Sequence, residues 1–228
     1  MGLGLVLFGI VMLIFMTATV LAVVGLIIAL FLKFMNKNKW KRKIFLSITI
    51  PYLFLFSLFF FGLTGSIIVS ETKNVDIGIG DCWYAPINEN YSILLIDVPH
   101  CGTIRYNQNE TLVSNVVELD FSKNTNKIYG KKIEFDYSGN CGIKGIKDDS
   151  CFFVVDIKNK GVRYFSTKQE LIDNEKIDTH AFLKIREFYT KMYKEVAGTA
   201  MTIVRILSLV LSTLIVYFYC KLILFKYL

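Results

Sequence analysis

The sequence predicts a membrane α-helical protein: three transmembrane helices, with a disulfide-stabilised α+β extracytoplasmic domain containing antiparallel strands inserted between the second and third. Three observations predict this. Of 228 residues, 54% are apolar, and the mean hydropathy is +0.47, well above ordinary globular usage. All 19 Asp and Glu lie between Glu71 and Glu195, so both flanks lack carboxylates. Four of the five cysteines fall within that same acidic segment.

The formal charge of +7 is a matter of location. The segment from Glu71 to Glu195 holds 17 Lys/Arg against 19 Asp/Glu, a net charge of −2. The other nine basic residues flank or lie in apolar runs, where anionic lipid headgroups attract them. The pattern therefore predicts membrane lipids as partners and no nucleic acid, which would need a basic face on a soluble domain.

Residues 1–32 form the first expected span. They carry no charge and, as a helix, reach roughly 48 Å against a hydrocarbon core of about 30 Å. With no basic leader and so long an apolar run, they do not read as a cleavable signal. Ala18, Ala22, Gly25 and Ala29 recur at spacings of four, three and four, a stripe of small residues that lets another helix approach closely. The simplest partner is this chain's own second helix.

Residues 33–43 are a basic loop with six Lys/Arg and no acid. Short basic loops stay on the cytoplasmic side, which orients everything else. The N-terminus is then outside, the large middle domain outside and the C-terminus cytoplasmic, in a bacterial inner membrane or a eukaryotic plasma or endomembrane. Residues 44–69 are the second span, rich in Phe, with Pro51 expected to kink it or be absorbed by neighbours.

Residues 70–196 form the extracytoplasmic domain. Ser92–Ile96 is a short apolar run, and Val117–Phe121 and Ile133–Tyr137 alternate apolar residues with acids, as half-buried antiparallel strands do. Cys151–Ile157 and Val162–Phe165 flank Lys158-Asn159-Lys160-Gly161, a hairpin turn in which Gly161 suits a left-handed position. Ser166/Thr167 followed by Gln169/Glu170 gives capping-box spacing for a helix. Asp178 or Thr179 is placed to cap another, carrying Phe182, Ile185, Tyr189, Met192 and Val196 on one face and running into the bilayer.

An oxidising compartment predicts disulfides among Cys82, Cys101, Cys141 and Cys151. Local Cys82–Cys101 and Cys141–Cys151 bridges are the preferred pairing of three, each worth about 3 kcal/mol by loop entropy. Trp83 and Tyr84 follow Cys82, either anchoring a partner or packing over a disulfide.

Residues 197–220 are the third span and 221–228 a cytoplasmic tail. Only 15 residues, Ile206 to Cys220, separate Arg205 from Lys221, fewer than the twenty or so a span needs. Either both side chains snorkel from near the helix ends, or Arg205 lies deep and needs a polar contact within the membrane.

No motif names a reaction. The two histidines, His100 and His180, lack metal-ligand spacing, and there is no Gly-x-Ser-x-Gly elbow, P-loop or EF-hand loop. The sequence thus predicts no catalytic residues, no metal and no cofactor. The expected function is non-catalytic binding of a protein partner by the external domain, as in an immunity or inhibitor protein acting against a membrane-targeting toxin. The alternatives are an accessory subunit of a larger membrane complex, or a sensor.

Overall fold

The computed structural model describes residues 3–35, 40–76, 82–96, 101–107, 109–122, 125–136, 145–176 and 182–225. The chain divides into a helical unit (Met1–Lys73, Ile77–Gly80 and Ala197–Leu228) and a sheet unit (Asn74–Asp76 and Asp81–Val196).

Three helices are long and apolar enough to cross a membrane: α1 (Leu3–Met35), α2 (Trp40–Lys73) and the last helix, Ile185–Phe225. Their outward surfaces are apolar, with Phe8, Phe31, Phe60 and Leu222 each more than 60% exposed. Water would not tolerate so much apolar surface, and hydrocarbon would. In α1, Ala18, Ala22 and Ala29 are buried, and a Cβ on Gly25 would stand 3.2 Å from the Ser47 carbonyl oxygen of α2. That carbonyl is the one Pro51 cannot reach with an N–H, because proline has none. A Gly backbone fits against the freed oxygen, which a Cβ would crowd. Thr19 and Tyr52 add an inter-helix hydrogen bond of 2.7 Å.

The sheet unit is one antiparallel sheet in chain order: β1 (Cys82–Pro86), β2 (Tyr91–Ile96), β3 (Gly102–Tyr106), β4 (Glu110–Ser122), β5 (Lys127–Asp136), β6 (Gly145–Asp156) and β7 (Gly161–Phe165). A short β8 (Leu183–Lys184) pairs with Glu118 and Leu119 of β4. Between β7 and β8 in the chain, α3 (Lys168–Glu175) is capped by Thr167, whose side chain accepts from the Glu170 amide, while the Glu170 carboxylate accepts from the Ser166 amide. The last helix, α4, spans Ile185–Phe225.

Bulges bend the long strands. Ser114 and Asn115 together oppose Thr103, with Asn115 in the left-handed region at φ 58°. Asn107 and Asn126 take the same conformation in the flanking turns, a role asparagine fills at low cost. In the β6–β7 turn the left-handed residue is Lys160, φ 53°, and not the expected Gly161. The sheet curls on itself: the Tyr91 hydroxyl of β2 donates to the Ile157 carbonyl beyond β6.

Inside the curl lies the main core, including Ile93, Ile104, Leu119, Ile128 and Phe153, closed by Ile185, Phe188 and Met192 of α4. Each such side chain contributes about 1.5–3 kcal/mol on burial. A smaller cluster on the reverse face joins Tyr129 and Val154 to Phe165 and to Leu171 of α3. Helix α4 starts at Ile185, later than the Asp178/Thr179 caps suggest, because Leu183 and Lys184 are held as a strand against β4. Phe182 instead lies by Phe152, ring centroids 6.1 Å apart.

Gly130 sits where the core leaves no room for a side chain. A Cβ there would meet the Phe153 ring at 2.4 Å and the Glu118 carbonyl at 2.7 Å, whereas one on Gly161 would meet nothing. Gly130→Ala should therefore cost about 1–3 kcal/mol by displacing Phe153. Gly161→Ala should stay within about 0.5 kcal/mol of the wild type. Thermal unfolding of the two variants checks the contrast.

Candidate functional site

The positions singled out in the sequence do not converge on one place. Among the described residues no disulfide is formed: Cys82 is exposed, and Cys101, Cys151 and Cys220 are half-buried thiols. For the expected Cys82–Cys101 bridge there is a physical reason. Strand β2 runs between β1, which opens with Cys82, and β3, which follows Cys101. Two strand spacings come to about 9.6 Å, beyond the roughly 7 Å between Cα atoms that a disulfide spans. Cys141, the partner expected for Cys151, lies outside the described residues, as do His100 and His180. Burial raises the thiol pKa of Cys101 and of Cys151, holding both in the unreactive protonated form at neutral pH.

Trp83 is taken up internally. It packs against the main core and stacks on Tyr189 of α4, centroids 6.1 Å apart, with Tyr193 next in line at 5.8 Å from Tyr189. The Tyr189 hydroxyl donates to Asp76 Oδ1 at 2.5 Å, and Asp76 is 5% exposed. The Asp76 amide donates in turn to the Tyr84 carbonyl. One cluster thus fastens the segment after α2, strand β1 and the start of α4. Burial, reinforced by the bond to Asp76, pushes the Tyr189 phenol well above its usual range. Tyr84 is half-buried.

A second buried carboxylate anchors α3. The Glu175 side chain, 2% exposed, is bonded to Lys127 of β5 at 2.5 Å and to Arg163 of β7. Neither carboxylate was legible as special in the sequence, since each needs a partner at least 12 residues away.

In the helical unit, Arg205 is exposed and, among the described residues, forms no ion pair. Its neighbour Val204 packs on Gly65, where a Cβ would come within 2.5 Å, and a Cβ on Gly62 would touch Ser208. Tyr219 donates to Thr49 at 3.1 Å further along. Rising α4 numbers thus meet falling α2 numbers, so the two helices are antiparallel, and Arg205 is level with Gly65. This seam is not among the sequence expectations, which place a small-residue stripe only on the first span. The signal was there in Ala197, Met201, Ser208 and Ser212, which share one helical face and are all buried.

Among the described residues no group of three or more His, Cys, Asp or Glu could hold a metal ion. Comparison with protein-family models, curated proteins and solved structures gives no match.

The Asp76–Tyr189 bond makes a signed prediction. Unfolded tyrosine ionises near pH 10, but folded Tyr189 keeps its proton beyond that. Its contribution is complete below about pH 10 and is lost as pH rises further. Tyr189→Phe should cost about 1–3 kcal/mol at neutral pH. It should also flatten the loss of stability above about pH 10, and urea unfolding at several pH values checks both effects.

Proposed function

We propose that this is an integral membrane protein that presents its sheet unit on the extracytoplasmic side to bind another protein, without catalysis. The placement of charge on the antiparallel α2 and α4 supports the orientation. Lys41, Arg42 and Lys43 start α2, and Lys221 lies near the end of α4, at the same end of that pair. Glu71 and Lys73 lie at the other end of α2, where the chain enters the sheet unit. By the positive-inside rule the uniformly basic end is cytoplasmic.

The observation that carries the binding reading is how the buried carboxylates are used. Asp76 and Glu175 are both bonded across elements, and each holds the sheet unit together. Such a unit is a rigid scaffold that offers its surface. An immunity or inhibitor protein, neutralising an attacker at the outer face of the membrane, is the job that fits such a scaffold.

Arg205 favours a second reading, an accessory subunit of a larger membrane complex. The uncharged run of α2, Ile44 to Ser70, has Ser57 at its middle, and Arg205 is level with Gly65, about 12 Å away at 1.5 Å per residue. In a core of about 30 Å that is near the boundary, within snorkelling reach of the headgroups. The depth supports the first reading over the second.

Crosslinking in cells, followed by co-purification in mild detergent, tests the choice. The first reading expects a secreted or foreign protein joined to the sheet unit, and sensitivity to that protein when the gene is deleted. A stoichiometric membrane partner lost in Arg205→Leu would overturn it in favour of the subunit.

A further inference from the structure

We infer that the outer edge of β7 is a docking site for an extended acidic segment of the partner protein, which joins the sheet as an added strand. The inference rests on the partner-binding reading and names the surface and chemistry involved. Strand β7 ends the sheet: β6 pairs along one side, and among the described residues no strand pairs along the other. An open edge offers a row of backbone N–H and C=O groups, the template that strand addition uses. At the opposite end of the sheet, β1 is already met by the Asp76 amide at the Tyr84 carbonyl.

Charge decides what kind of strand fits. From Lys158 to Lys168 the chain carries Lys158, Lys160, Arg163 and Lys168 with no carboxylate, inside a segment whose net charge is negative. All four are exposed. Arg163 stays 57% exposed although it bonds Glu175, so its guanidinium has donors to spare. The two faces of β7 differ. Arg163 pairs with Val154 on the reverse face, and Tyr164 pairs with Phe153 on the core face. Tyr164 is 50% exposed, with the Lys132 ammonium 5.1 Å from its ring centroid.

An incoming strand that alternates acidic and apolar residues would therefore set carboxylates beside Arg163 and apolar groups beside Tyr164. A second copy of this chain fits badly, because β7 against β7 sets like charges across a strand pair.

The test uses the full chain in lipid nanodiscs and a fluorescein-labelled peptide of alternating Glu and Val. Controls are its Lys/Val counterpart and a Glu/Val peptide N-methylated on every residue, which can donate along neither edge. The Glu/Val peptide should bind at least about tenfold more tightly than either control. Lys158→Glu with Lys168→Glu, which leaves the Glu175 bridge intact, should weaken it about tenfold with unfolding temperature unchanged. Equal binding of the N-methylated peptide, or no preference for the acidic one, overturns the inference. So does dimerisation through β7.

Photocrosslinking in cells separates the two levels of the claim. A partner captured from other exposed positions of the sheet unit, but never from position 164, removes the β7 site and leaves partner binding standing. Capture from no position of the sheet unit removes both.

Discussion

Three helices that water would not solvate set the terms for the rest of this chain. Leu3–Met35, most of Trp40–Lys73 and the later part of Ile185–Phe225 are apolar around their circumference and pack on one another through narrow seams of Ala, Gly and Ser. Apolar helices placed in hydrocarbon would have no hydrophobic drive to associate, and close backbone approach is what would hold them together. At Gly25 against the Ser47 carbonyl and at Gly65 against Val204, a side chain would crowd the facing helix. The cost of such helices is that polar chemistry is confined to the chain between them.

That chain solves a separate problem with ordinary soluble physics. Its curled sheet is closed by Ile185, Phe188 and Met192, so the helix that later turns apolar begins as part of a conventional core. Two buried carboxylates, each costly to desolvate, are matched by donors from distant elements: Asp76 by Tyr189, Glu175 by Lys127 and Arg163. Pairs of this kind add little net stability over an apolar replacement, but breaking one side is expensive. They fix which elements meet.

Much of this was legible in the sequence because it depends on local periodicity. Uncharged length marks α1 and α2, alternation marks parts of β4 and β5, and the Ser166–Glu170 spacing marks the start of α3. Strands β1 and β3 were not visible. Cys82–Pro86 and Gly102–Tyr106 are five residues each, the first ending on Pro and the second opening on Gly, and their pairing partners supply the register. The start of α4 was misplaced because β8 exists only through its contact with β4. The preferred Cys82–Cys101 bridge failed for the same reason: cysteine spacing says nothing of the strand that runs between. The open edge of β7 also had to await the sheet order, although its run of cations was plain in the sequence.

Orientation is the claim on which both the binding reading and the β7 site depend, and impermeant-thiol labelling measures it directly. Glu89, exposed in the β1–β2 turn, and Lys43, exposed at the start of α2, are each replaced by cysteine in a chain otherwise lacking cysteine. In intact cells a membrane-impermeant maleimide should label the Glu89→Cys protein, and should label Lys43→Cys only after permeabilisation. Labelling of Lys43→Cys in intact cells, with Glu89→Cys protected, would contradict the account and place the sheet unit in the cytoplasm.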